Sequence, residues 1–135
     1  MKLENRTLVE VADAIRARRV TSREVVETCL ARIDAWQPRI NAFAAVLADS
    51  ARAAADRADA AVAAGVPLGP LHGVPLAHKD MFFRASRRSS LGSHNAPPTS
   101  GAGESSLLGR LDAAGAIEIG TLNMCEFALG PTGHN

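Results

Sequence analysis

The run Gly69-Pro-Leu-His-Gly-Val-Pro-Leu-Ala-His-Lys-Asp80 leads from a turn into a short apolar strand and closes on a charged pair. Two prolines and a glycine across Val66–Pro70 mark the turn. Alternation from Val74 puts Val74, Leu76 and His78 on one face and Pro75, Ala77 and Lys79 on the other, with Asp80 pointing away from Lys79. Pro75 lacks the N–H of a central ladder, so pairing is expected to begin after it. Lys79 constrains the fold most. Apart from Lys2, near the N-terminus, every other basic side chain is an arginine or a histidine. A strand-end ammonium must stay in water, find a partner or give up its proton, because burying it bare costs several kcal/mol. A lysine that gives up its proton is a base.

Around this strand the chain predicts helices first and then alternating helix and strand. Thr7-Leu-Val-Glu10 and Thr21-Ser-Arg-Glu24 are capping boxes. The first opens a helix with Leu8, Val11, Ala12 and Ile15 at helical spacing, and Arg16, Arg18 and Arg19 at its far end suit the dipole. The second opens one with Val25, Val26, Cys29, Leu30 and Ile33 on one face, and Pro38 is expected to break it after Trp36-Gln37. Asn41–Val46 reads as a strand. An alanine-rich helix follows from Asp49-Ser50 to Ala64, ended by Gly65, with Arg52 and Asp56 as an i,i+4 pair. Its arginines read as a solvated face. Farther on, residues 94–103 read as a loop, about Glu104 to Ala114 as a helix bearing Leu107, Leu108 and Leu111, and Ala116–Gly120 as a strand. Asn123–Leu129 is a short helix or irregular segment, and Gly130-Pro-Thr-Gly133 is a turn. Helix alternating with strand argues an α/β sheet under helical cover.

Composition removes several classes of function. With a formal net charge of +1 there is no electrostatic footprint for nucleic acid or an anionic membrane. Aromatics are 4% of the chain, with no tyrosine, which leaves no base-stacking platform. No apolar run is long enough to span a bilayer, and Met1-Lys-Leu-Glu-Asn-Arg has no signal-peptide apolar region. Cys29 and Cys125 make no disulfide framework, so the cytoplasm is the expected compartment. His72, His78 and His94 lack metal-ligand spacing, so no metal is expected.

The Gly69–Asp80 run closely resembles the start of the amidase signature family, where the lysine of a Gly-(Val/Ile)-Pro…Lys-Asp strand is the base of a Ser–Ser–Lys triad. A second run, Leu111-Asp-Ala-Ala-Gly-Ala-Ile-Glu-Ile-Gly-Thr-Leu-Asn-Met-Cys-Glu-Phe-Ala-Leu-Gly130, is similar to the family's helix, Ala-Gly-Ala, strand and Asn-Met-x-Glu-Phe-Ala. Two motifs in the right order make the likeness specific. It covers most of the chain and weakens before residue 20. It implies the N-terminal part of a mixed β-sheet covered by helices, an incomplete α/β/α sandwich. On this reading 1–135 is a partial amidase domain, with 1–65 mostly helical and 66–135 supplying the first strands and helix of the catalytic sheet.

The resemblance implies hydrolysis of a carboxylic amide C–N bond in a small-molecule substrate, with no cofactor. Lys79 takes the catalytic position, and Ala128 and Gly130 stand nearest the substrate. Asn123 and Glu126 are candidates for fixing the local backbone by hydrogen bonds. The glycine- and serine-rich signature that holds the family's two serines lies downstream of every residue here. Of the triad only Lys79 is expected in this chain, which by itself is expected to be inactive, with unpaired strand edges and apolar faces that lower its solubility or make it oligomerise; a homodimer stays open. Ser89, Ser90, Ser93, Ser105 and Ser106 lack a nucleophile's glycine-rich context and read as solvated loop and helix-start residues. His78, where the family often has an aliphatic residue, is expected to pack with an N–H satisfied, the alternative being that it tunes polarity near Lys79. Cys125 reads as a small buried filler.

Two alternatives stand beside the amidase. One is a truncated, non-catalytic fragment. The other is the amidating subunit of a tRNA-dependent amidotransferase, but Met81 stands where that branch usually has asparagine, and both His78 and Met81 favour a general amidase.

Overall fold

The computed structural model describes residues 3, 5–95 and 103–130. Lys2, residues 96–102 of the expected loop and residues 131–133 of the expected turn lie outside them. Both capping boxes form. Thr7 starts α1 (Leu8–Arg16) and Thr21 starts α2 (Ser22–Ile40), each side chain accepting from the N3 amide while Glu10 or Glu24 reaches back. Two further amides at the start of α2, those of Ser22 and Arg23, donate at 2.7 and 3.0 Å to the Asp59 carboxylate. That carboxylate therefore ties α3 (Ala48–Ala64) to the positive end of α2.

Pro38 does not break α2. It lies within the last turn, where only one intrahelical bond is forfeited, and the helix runs to Ile40 before Asn41 turns left-handed at φ 45° and closes it with an amide bond to Gln37. Asn41 thereby aims the chain into β1 (Phe43–Val46), which Gln37 also clamps, its side chain exchanging two hydrogen bonds with the Phe43 backbone. Gly65 ends α3 as expected, at φ 68°.

The sheet has the order β1–β3–β2. Central β3 (Ile117–Leu122) runs antiparallel to β1 and parallel to β2 (Pro75–Lys79), giving the α/β architecture that the alternation implied, with the mixed sheet that the resemblance implied. Gly120 lets β1 close on β3, since a Cβ there would stand 2.4 Å from the Ala45 carbonyl oxygen. Pro75 is inside the ladder, opposite Ile117, contrary to expectation. It is the first residue of β2, and the neighbouring Val74 carbonyl supplies the bond by accepting from the Ile117 amide at 2.9 Å. The helix α4 (Ser106–Ala113) precedes β3 and buries Leu108 completely, while Leu107 stays exposed.

Two apolar clusters hold these layers. One joins Ala12, Ala14 and Ile15 of α1 to Val25, Val62 and Val74; the other joins Val26 and Leu30 of α2 to Ala51, Ala55 and Ala58 of α3 and to Ile117 and Ile119 of β3. Each large aliphatic side chain so buried contributes about 1.5–3 kcal/mol. Alanines on α3 let the helices approach closely, so the alanine-rich face is core.

The expected Arg52–Asp56 pair within α3 is replaced by a bridge between helices. Arg52 reaches Glu27 on α2, and Asp56 is taken by Arg23. Across the α2–α3 contact a longer side chain reaches a better-placed partner than the neighbour one turn away. Hydrogen bonds from Arg52 first and then Arg23 hold the Glu27 carboxyl at about 2, below its ordinary 4.5. A depressed carboxylate stabilises the fold above its unfolded value and loses that contribution as pH falls toward the folded one. The contribution of Glu27 is therefore complete above pH 4.5 and fades between 4.5 and about 2. Thermal melts of the parent and of Glu27→Gln, run across that window, should converge as the pH drops.

Candidate active site

Lys79 ends β2 opposite Leu122 of β3, and its side chain is exposed. It lines a depression of about 490 Å³ with the chain reversal at Ile40–Ala42 and the segment Leu122–Cys125. Those walls are locked together: the Asn123 amide donates to the Ala42 carbonyl at 2.8 Å, and the Asn123 side chain donates to the Asn41 carbonyl at 3.1 Å. Asn123 thus fixes the backbone, as its place in the motif suggested. Asn41 was missed in the sequence, although an asparagine closing a helix is a left-handed cap signal.

The strand end is held from three sides. The Asp80 amide donates to the Leu122 carbonyl at 3.1 Å, and the Phe82 amide closes a turn on the Lys79 carbonyl at 3.2 Å. The Asp80 carboxylate is buried and accepts from the Ser90 amide and hydroxyl, both at 2.7 Å. Both bonds fall on Oδ2. The Ser89 hydroxyl donates to the Asp80 carbonyl and is itself buried. Ser89 is therefore no solvated loop residue: the loop folds back because a buried carboxylate after a strand must be satisfied. Ser93 donates to Glu126, and the Phe127 amide donates to the Leu91 carbonyl at 2.8 Å, stitching this loop to the segment after β3.

That segment ends in a 3-10 turn, Glu126–Ala128, with left-handed φ at Phe127 (50°) and Ala128 (60°) and again at Gly130 (97°). Ala128 and Gly130 are exposed and lie beyond the residues that line the depression with Lys79. The Cys125 thiol donates to the Gly130 carbonyl at 3.1 Å and is partly buried. Lys79 and Asn123–Cys125 therefore line one depression, and Ala128 and Gly130 are not among its lining residues.

On the other face of β2, His78 is 6% exposed. Its Nε2 lies 2.8 Å from Glu118 of β3, and the ring packs edge-on against Phe82. Glu118 also receives Arg84, through Nε at 3.1 Å, and Arg87. Arg84 continues to Asp112 of α4 at 2.9 Å and to Glu104 at 2.7 Å. Packing with a satisfied N–H holds for His78. The surrounding ionic network was not legible in a sequence where its members are up to 40 residues apart.

Among the described residues no group of His, Cys, Asp and Glu could hold a metal ion, and no helix is long and apolar enough to cross a membrane. A family model described as Amidase matches residues 24–135. A glutamyl-tRNA(Gln) amidotransferase subunit from Halorhodospira halophila is 41% identical over 128 residues, which is 95% of this chain and 26% of that protein. A solved amidase superposes with a TM-score of 0.81 at 32% identity, over 93% of this chain and 28% of its own. The peptide amidase from Stenotrophomonas maltophilia does so with a TM-score of 0.80 at 27% identity, over 93% and 26%. The chain spans about a quarter of the length of the curated relatives it matches.

Proposed function

Since this chain belongs to the amidase signature family, we propose that the complete protein hydrolyses a carboxylic amide, with Lys79 as general base. The observation that carries the reading is the placement of Lys79 at the end of β2, free of any carboxylate among the described residues and sharing one wall with Asn123–Cys125. A lysine is a base only when neutral, so the complete site must shield Nζ from water. In the proposed reaction neutral Lys79 accepts a proton from a bridging serine, which takes one from a nucleophilic serine as that oxygen attacks the amide carbon. The tetrahedral intermediate expels the amine, which leaves with a proton returned along the same path. Water then cleaves the acyl ester and regenerates the serine. On this reading both serines come from the glycine- and serine-rich signature that the resemblance places downstream. Ala128 and Gly130 on this reading border the acyl group, as the resemblance implies, and the protein is read as a cytoplasmic enzyme for small-molecule amides that requires no cofactor.

The Halorhodospira halophila relative, named for a glutamyl-tRNA(Gln) amidotransferase and 41% identical, supports a second reading as an amidating subunit. Met81 and His78 weigh for the hydrolase. The complete protein is expected to release ammonia or amine from simple carboxamides and to leave misacylated tRNA untouched. Ammonia-dependent amidation of glutamyl-tRNA, with no hydrolysis of free amides, would replace the first reading by the second.

A further inference from the structure

The two nitrogens of the His78 ring each face an oxygen acceptor, one of which belongs to the lysine itself; both contacts are hydrogen bonds only when both nitrogens carry a hydrogen. Its Nδ1 lies 3.1 Å from the Lys79 carbonyl oxygen, and its Nε2 lies 2.8 Å from Glu118. The same carbonyl accepts from the Phe82 amide at 3.2 Å. With a hydrogen on Nδ1, both lone pairs of that oxygen are engaged where the strand turns away, and an engaged carbonyl holds the Lys79 peptide in one orientation. The side chains of residues 78 and 79 leave opposite faces of the strand, so His78 acts on the lysine through this peptide, not on Nζ. Glu118 in turn is anchored by Arg84 and Arg87, and Arg84 by Asp112 and Glu104. Glu118 is 14% exposed and Arg84 13%, so the anchor is well shielded from water.

We propose that His78 is a positioning residue for Lys79: its Nδ1–H holds the strand-end carbonyl, so that the amine is presented at one angle. The proposal rests on the assignment of Lys79 as base. A base must meet its proton at hydrogen-bond distance, and a displacement of about 1 Å at such a group costs roughly 100-fold in rate.

Three substitutions in the complete protein separate this role from core packing. Asparagine can put its Nδ2 where the ring has Nδ1, keeping the bond to the Lys79 carbonyl and losing Glu118. Glutamine can put its Nε2 where the ring has Nε2, keeping Glu118 and losing the carbonyl. Leucine keeps bulk and neither bond. His78→Leu and His78→Gln should lower kcat by roughly 10- to 100-fold with KM within about two-fold, whereas His78→Asn should recover most of kcat. Melting temperatures of the three should lie within about 4 °C of one another. An Asn variant no better than Leu, losses that track melting temperature or KM, or parental kcat in all three would overturn the proposal. So would failure of the Asn variant to fold, which would make the ring a packing element. Lys79→Ala tells the two failures apart. If it is dead while every His78 variant keeps parental kcat, only the positioning role falls. If it keeps parental turnover, the function and the positioning role fall together.

Discussion

Lys79→Ala in the complete protein should abolish amide turnover, lowering kcat by at least about 10³-fold, the scale on which a member of a nucleophile–base triad matters. The fold should barely notice. Lys79 is exposed, and no carboxylate among the described residues pairs with it, so its loss should stay within about 0.5 kcal/mol of stability. Rate and stability therefore separate at this position. Lys79→Arg should be as inactive as Lys79→Ala, because a guanidinium keeps its charge and cannot accept the proton. Single-turnover and steady-state assays with a simple carboxamide, beside thermal melts, measure both quantities. Retained turnover in Lys79→Ala would remove the lysine from the mechanism, and recovery by arginine would make it a charge contact in place of a base.

Gly73→Ala is expected to cost about 3 kcal/mol of stability, from overpacking and left-handed strain together. Gly73 sits at φ 76° in the turn that the Val74 amide closes on the Leu71 carbonyl at 3.0 Å. Position three of such a turn favours glycine. A Cβ there would stand 2.1 Å from the Ser22 hydroxyl oxygen, 3.0 Å from the Ser22 Cβ and 3.4 Å from Ile15. None of these can yield easily. Ser22 and Ile15 are 0% and 1% exposed, and Ser22 is fixed at the start of α2 by Asp59. The Ser22 hydroxyl is buried with no hydrogen-bond partner among the described residues. Ser22→Gly removes both of the nearest atoms, so the double variant should recover more than half of the loss. Chemical denaturation of the four proteins gives the coupling energy directly. An additive cycle would show that the cost is backbone strain alone. Because this turn feeds β2, the substitution also tests how far the placement of Lys79 depends on the α1–α2 layer.

Several elements were legible because their causes are local. Thr7 with Glu10 and Thr21 with Glu24 start helices through contacts three residues apart. Gly65 ends one through its own φ. The run into Lys79 announces a strand by its turn residues and apolar stretch. The candidate base was found because its surroundings are contiguous in sequence, and Asn123 because it belongs to the second motif.

Other features have partners too distant to read. Pro38 stays in α2 because Asn41 and Gln37 close the helix and clamp β1 after it. Pro75 joins the ladder because β3 pairs with the carbonyl just before it. Arg52 leaves Asp56 for Glu27, and Asp56 is held by Arg23, because α2 lies against α3. Ser89 is buried because the loop folds back on Asp80, where Ser90 meets the carboxylate and Ser89 the backbone carbonyl.

By itself the sequence determined where α1 and α2 begin, which family the chain belongs to and which lysine ends the strand, since these depend on side chains a few residues apart and on contiguous motifs. Only the tertiary structure decided what stands behind that lysine. His78, Glu118, Arg84 and Arg87 meet because β2 and β3 lie in parallel register and the loop after β2 folds back over Glu118. Shielded charges choose their partners by proximity in space, and that proximity comes into being only when the sheet closes.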